Sequence, residues 1–342
     1  MNHLRIGAVP RRAALAGALL VAGLGLAACG SDSSDTGSDA SPAAAGAYPL
    51  VLKSPFGETT LKKAPEKVAV VSDVDLDIAV ALGVDPVIAP LYGEISSWTQ
   101  DAADEQGFEI ETFDPSDGTD FAAIAEAAPD VILATSGYSL EDDYEQLAKI
   151  APVVSYQGDD GLTSMSWQER TDEVAAALGR QDEAQKVESD IDAAFADVRA
   201  ANPDFEGKTY TQVNIHPDQI TYESWTGSDA SFFTDLGFVQ APTAGDFDAD
   251  DNSVSKENID QLDADVLFVG YPFGDEGLLT RSELESDRLF TSLKAVSGGH
   301  YAVIGDDVAS PLTYKTPLSV PWVLDQLTPV LQQAVAGTGT AG

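Results

Sequence analysis

Few residues in this 342-residue chain are equipped for covalent or metal chemistry. Cys29 is its only cysteine, and His216 and His300 are the only histidines after the first few residues. A zinc or manganese centre draws His and carboxylate ligands to one point, and two histidines are too few for the usual set. Ser253-Val-Ser-Lys256 has the Ser-x-x-Lys spacing of serine acyl-transfer sites. Its Ser-Asp-Asn and Lys-Thr-Gly partners are absent, Lys315-Thr-Pro317 does not replace the latter, and there is no Gly-x-Ser-x-Gly elbow. Catalysis is therefore not expected. What the chain offers instead is aromatic residues at the ends of β-branched runs. Tyr92 and Trp98 follow Val87-Ile-Ala-Pro90 in an expected loop, and Tyr138 follows Thr135-Ser-Gly137. Trp225 lies close to Gly227, Tyr271 follows Gly270, and Tyr314-Lys315 precedes the last helical stretch. Their chemistry is non-covalent, because a flat apolar wall with an O–H or N–H at its edge suits a large ligand. Any one of them could instead be packed in a core, and Trp322 is expected to face the core.

The elements around these residues explain why their positions matter. Short apolar runs alternate with helical stretches: Val68–Ser72, a helix over Leu76–Leu82 ended by Gly83, Val87–Pro90, and a helix over Phe121–Ala127. The strand Val131–Thr135, a helix over Glu141–Lys149 and the strand Val153–Tyr156 continue the pattern, so residues 48–165 read as one α/β lobe. Ser166 with Glu169 has capping-box spacing and opens a helix to Leu178. Ala184, Val187, Ile191, Ala194, Phe195 and Val198 then recur at spacings of three and four. They predict one helix over Asp182–Ala201, about 30 Å long. Residues 166–202 form this helical region, and 203–337 read as a second α/β lobe with strands Thr209–Ile215, Val266–Gly270 and Tyr301–Gly305 and a helix over Ser319–Val335. The fold class is α/β, with two Rossmann-like lobes joined by a single long interlobe helix. A ligand would lie in the cleft between the lobes, at the carboxyl ends of the strands.

The N-terminus carries an address. Arg5, Arg11 and Arg12 precede an apolar run over Ala13–Leu26, and Leu26-Ala-Ala-Cys29 then supplies small residues and the only thiol. This pattern resembles a bacterial lipobox. The resemblance implies a signal peptide over residues 1–28, export, and lipid attached to Cys29, with the route (general secretory or twin-arginine) left open. Gly30–Gly46 holds Ser, Asp, Ala and Gly without a large apolar residue, so residues 29–47 read as the lipidated cysteine and a flexible tether. The net charge is −39 at pH 7, and removing residues 1–28 takes away three Arg and no acid. Such a surface should repel nucleic acid and, apart from the acyl anchor, anionic lipid. No later segment reaches the roughly 18 apolar residues of a spanning helix.

The phrases Lys63-Ala-Pro65 to Val71, Ala81-Leu-Gly-Val-Asp-Pro86, Ala128-Pro-Asp-Val-Ile-Leu133, Ala177-Leu-Gly-Arg180 and Pro317-Leu-Ser-Val-Pro-Trp322 occur in an order and spacing that resemble substrate-binding lipoproteins of iron-siderophore ABC importers. The likeness spans almost the whole mature chain. It implies a non-enzymatic receptor, lipid-anchored on the extracytoplasmic face of the cell membrane and monomeric. Such a receptor captures a ferric siderophore and passes it to an importer permease. It also implies a rigid interlobe helix, and a cleft holding an already saturated ferric chelate without metal ligands from the protein. Tyr92, Trp98, Tyr138, Trp225, Tyr271 and Tyr314 would form its walls, with Arg281 the best-placed cation. Five Arg in so acidic a mature chain lean towards a hydroxamate chelate rather than an anionic catecholate. In the family, a glutamate on each lobe engages the permease. Val254-Ser-Lys-Glu257-Asn-Ile259 matches one such phrase, whereas the other position falls on Ala122, leaving Asp120 or Glu126 to substitute. Haem or cobalamin binding on the same fold, and a non-transport structural lipoprotein, stay open as alternatives.

Overall fold

The computed structural model describes residues 48–137, 139–158, 165–224, 231–247, 252–274 and 278–339. The signal peptide, Cys29, the tether, Tyr138 and Trp225 lie outside the described residues.

The chain enters the fold through an antiparallel hairpin, β1 (Leu50–Ser54) and β2 (Gly57–Leu61), closed by Pro55-Phe56. The alternating, half-exposed pattern of β1 hid this hairpin from the sequence reading. The parallel strands β3 (Val68–Val70), β6 (Val131–Ala134) and β7 (Val153–Ser155) are buried at every position. They are short continuous apolar runs because helices cover both faces of a parallel sheet. The short parallel pair β4 (Ala89–Pro90) and β5 (Thr112–Phe113) joins β3 through a bridge between Ala69 and Ile88. The first lobe therefore runs 5-4-3-6-7, and its order reverses between β3 and β6.

Helix α1 (Asp73–Ala81) follows β3 and is buried at every residue from Val74 to Val80. Its N-cap, Ser72, accepts from the Asp75 amide, so the helix starts three residues before the predicted Leu76. Helix α2 (Ser97–Gln106) begins at the residue before Trp98, which corrects the expectation that Trp98 lies in a loop. Helices α3 (Phe121–Ala127) and α4 (Leu140–Ile150) follow the expected pattern. Helix α5 (Trp167–Leu178) has the predicted reciprocal Ser166–Glu169 box.

Helix α6 (Gln181–Ala201) runs for 21 uninterrupted residues. Its apolar stripe connects two cores: Ala184 packs with Val174, Ala177 and Leu178 of the first, whereas Ile191 and Phe195 pack with Phe232 and Leu236 of the second. In the second lobe β8 (Thr209–Ile215), β11 (Val266–Gly270) and β12 (Tyr301–Ile304) are parallel, β10 (Val239–Gln240) flanks β8, and β9 (Ile220–Tyr222) pairs antiparallel with β8. The order 10-8-11-12 reverses between β8 and β11. Short helices α7 (Ser231–Asp235), α8 (Arg281–Ser286), α9 (Arg288–Ser292) and α10 (Lys294–Ser297) cover this sheet. The core is aromatic, with Phe233 stacked on Phe268 at 4.8 Å beside Tyr210 and Phe238. Helix α11 (Asp306–Thr313) occupies a stretch the sequence left without structure, because Pro311 breaks its apparent pattern. Helix α12 (Ser319–Val335) has the predicted limits and presents Val323, Leu324, Leu327 and Leu331 to the second core. Trp322 is only half buried, against the expectation of a core position: it packs on that core and on Trp98, 4.9 Å between ring centres.

Candidate functional site

Each lobe places a buried carboxylate where its strand order reverses. In the first, Asp75 is fully buried and accepts from Ser72 Oγ at 2.6 Å, Thr135 N and Oγ1 at 3.1 and 2.5 Å, and Ser136 N at 3.4 Å. These donors come from the carboxyl ends of β3 and β6, so Asp75 fills the crevice in which an open α/β sheet commonly holds a ligand. Burial raises its pKa despite the hydrogen bonds. In the second lobe Glu223 is 7% exposed and accepts from Asn214 Nδ2 at 2.8 Å. Asn214 lies across from Gly270, where a β-carbon would stand 2.1 Å from its Oδ1, so only glycine leaves room for this arrangement. Burial pushes Glu223 up to about 7, against the lowering by Asn214 and the Lys315 charge.

A third carboxylate ties the lobes together. Asp77 of α1, 4% exposed, accepts from Trp98 Nε1 at 2.8 Å, from the Thr99 hydroxyl, and from Thr316 Oγ1 at 2.6 Å. Thr316 belongs to the segment between α11 and α12, 239 residues away in sequence. Its Oγ1 also accepts from Ser319 N at 2.9 Å, while its own amide donates to Ser319 Oγ at 2.9 Å. One hydroxyl thus caps α12 and closes the interlobe tie. Burial raises Asp77 to about 6, with the three hydrogen bonds opposing.

Above this tie lies a cleft of about 380 Å³, walled by the N-terminal turn of α1, the segment from Pro90 to Thr99, the N-terminal turn of α11, and Tyr314. Of the sequence-predicted aromatics, the fold brings Tyr92, Trp98 and Tyr314 to this cleft. Tyr92 is 58% exposed and Tyr314 56%, large rings left in water at the mouth of a concavity. Trp98 contributes from below, its indole N–H held by Asp77. Tyr271 is 4% exposed and packed with Val213, Leu267 and Val269 in a further apolar cluster of the second lobe, and it does not line the open cleft. Arg281 opens α8 and pairs with Glu285 at 2.9 Å; it does not line the cleft. Glu257 stands exposed in a 3₁₀ segment, Lys256–Leu262, and Asp120 caps α3 by accepting from the Ala122 and Ala123 amides.

Several residues escaped the sequence reading. Phe273, 52% exposed with its ring 5.6 Å from that of His216, stands in the loop after β11. That loop meets the α11 N-terminus, since a β-carbon on Gly274 would lie 3.7 Å from Asp306 Oδ2. Asp75 and Asp77 did leave a signal: two acids inside the run Val74-Asp-Leu-Asp-Ile78, where every neighbour is apolar. Among the described residues no group of three or more His, Cys, Asp or Glu is gathered as a metal site, and no helix is long and apolar enough to cross a membrane.

Two lobes, a continuous helix between them and a cleft at the strand ends are the architecture of a ligand receptor. The family profile described as "Periplasmic binding protein" matches residues 68–308, from β3 to α11. The chain belongs to this family. The periplasmic binding protein relatives include, from Bacillus subtilis, the Fe(3+)-citrate-binding protein YfmC, 25% identical over 84% of this chain and 87% of its own length. The probable siderophore-binding lipoprotein YfiY of the same organism is 25% identical over 84% of this chain and 89% of its own. Among solved structures, PiaA of Streptococcus pneumoniae in complex with ferrichrome superposes with a TM-score of 0.70 at 29% identity, covering 84% of this chain and 99% of that one. The α/β architecture with two lobes expected from the sequence is thereby established.

Proposed function

We propose that this periplasmic binding protein captures a ferric siderophore in the interlobe cleft and delivers it to an ABC importer for iron uptake. The carrying observation is the cleft itself: two exposed tyrosines over a floor held by Asp77, in a fold shared with relatives named for ferric citrate, siderophore and ferrichrome binding. A siderophore already saturates its iron, so the protein needs aromatic walls and polar edges rather than metal ligands. A hydroxamate chelate is favoured, because the described residues lining the cleft include no Lys or Arg to meet an anionic catecholate. Binding leaves the ligand chemically unchanged, so the cleft needs no catalytic group. Tryptophan fluorescence titrated with ferric hydroxamates, ferric catecholates and ferric citrate tests the reading, with Trp98 and Trp322 as reporters. Tyr92→Ala and Tyr314→Ala should each weaken binding of the preferred chelate by roughly tenfold, about 1.4 kcal/mol, without lowering the melting temperature. Unchanged affinity in both variants would remove the cleft assignment.

The same reading places the chain on the extracytoplasmic face of the membrane as a monomer, held by lipid on Cys29. Glu257, with Asp120 on the other lobe, is proposed to meet the permease; both are exposed acids. In cells, Cys29→Ala should shed the protein from membranes. Glu257→Arg should leave it anchored and loaded while lowering iron uptake. A membrane-bound Cys29→Ala protein rejects the anchor, and normal uptake with Glu257→Arg rejects the docking role.

A further inference from the structure

Among the described residues, the charged ones lining the cleft are all acidic: Asp73 at the start of α1, Asp77 beneath, Glu94 in the loop after β4, and Asp306 and Asp307 at the start of α11. Their placement bears directly on what the cleft accepts. Two helix N-termini, those of α1 and α11, open onto it, and a bare N-terminus offers unpaired amides and a positive dipole end to anions. Here Asp73 sits in the first turn of α1, and Asp306 and Asp307 in the first turn of α11, all three lining the cleft. Carboxylates therefore occupy the places where an anionic chelate would find its donors. The negative field is felt at the aromatic wall: the Tyr92 hydroxyl is held above the usual phenol range by burial first, then by Asp73 and Asp143.

The walls point the same way independently. Tyr92 and Tyr314 present exposed rings to this cleft, and a ring face attracts an ammonium group, more so where carboxylates stand nearby. Lys315, next to Tyr314, is not among the described residues lining this cleft, and its charge acts on Glu223.

We infer that the cleft is selective for a ferric chelate carrying net positive charge, one with a free ammonium arm that Asp306, Asp307 and Glu94 receive beside Tyr92 and Tyr314. The inference rests on the reading of the cleft as a ferric-chelate site and specifies which chelates it takes. It also separates this chain from a relative named for ferric citrate, an anionic complex.

The test uses the full-length protein and three probes in fluorescence titration. These are ferrioxamine B (a ferric trihydroxamate with a free ammonium arm), the same chelate N-acetylated and therefore neutral, and ferric citrate. The cationic chelate should bind about tenfold more tightly than its acetylated form at 20 mM salt. The preference should shrink severalfold at 0.5 M salt, where the screening length falls to a few ångströms. An Asp306→Asn, Asp307→Asn double variant keeps residues suited to a helix start and should abolish the preference, read as the ratio of the affinities for the cationic and acetylated chelates. Equal affinity for the cationic and neutral forms, or tightest binding of ferric citrate, overturns the charge selectivity while leaving the siderophore reading standing. Binding of none of the three overturns both.

Discussion

Thr316→Val should destabilise the protein by about 3 kcal/mol although it changes neither shape nor volume appreciably. The hydroxyl it removes makes a 2.6 Å hydrogen bond to the ionised Asp77, and bonds to charged groups contribute about 1.5–3 kcal/mol. The same oxygen receives the Ser319 amide, which would be left without its cap at a buried helix start, for roughly another 1 kcal/mol. At about 2 °C per kcal/mol for a chain of this size, melting should fall by about 6 °C. The variant also removes the first of the interactions that hold Asp77 down, so this carboxyl should titrate still higher than about 6. A double-mutant cycle separates the two roles of the hydroxyl. In an Asp77→Asn background the charge-assisted bond is already gone, and Thr316→Val should then lose only about 1 kcal/mol, the capping share. Equal losses in both backgrounds would mean that Thr316 caps α12 and does not tie the lobes.

The tie also shows where sequence reading succeeds and fails. The interlobe helix was legible because its apolar stripe repeats at three and four over some 20 residues, and no loop or strand shares that period. The strands Thr209–Ile215 and Val266–Gly270 and the helix Ser319–Val335 were placed at their observed limits. Contacts between distant segments were not legible. Nothing local to Thr316 says that it will meet Asp77, since that pairing is created by the packing of two lobes. Trp98 was singled out for its aromatic ring, yet its position is decided by an N–H bond to a carboxylate 21 residues earlier. Tyr271 followed a strand as Tyr92 does, but the sheet buries it, and burial depends on what covers a strand end rather than on the strand. Tyr92 and Tyr314, by contrast, lie in connecting segments that leave their rings more than half exposed, and that exposure makes them the more informative pair.

Glu223→Gln should flatten the pH dependence of stability by about 3 kcal/mol. Burial raises the folded-state pKa of Glu223 from 4.5 to about 7, so the folded protein holds this proton more tightly than the unfolded chain. Its contribution is therefore fully present below about pH 4.5 and is lost progressively as pH rises towards 7, at about 1.4 kcal/mol for each pH unit crossed. Asp77 acts with the same sign over a lower window, from 3.8 to about 6, so the two slopes overlap and only a variant can separate them. Glutamine is neutral at every pH and retains a carbonyl oxygen for Asn214 Nδ2. The variant should match the parent near pH 4.5 and exceed its stability by up to about 3 kcal/mol at pH 8, measured by denaturant unfolding at both values. A difference that stays the same at pH 4.5 and pH 8 would show that Glu223 does not titrate between them. The physical reason to expect otherwise is that one neutral amide and one partly buried lysine are too little to replace the water this carboxylate loses at the reversal point of the second sheet.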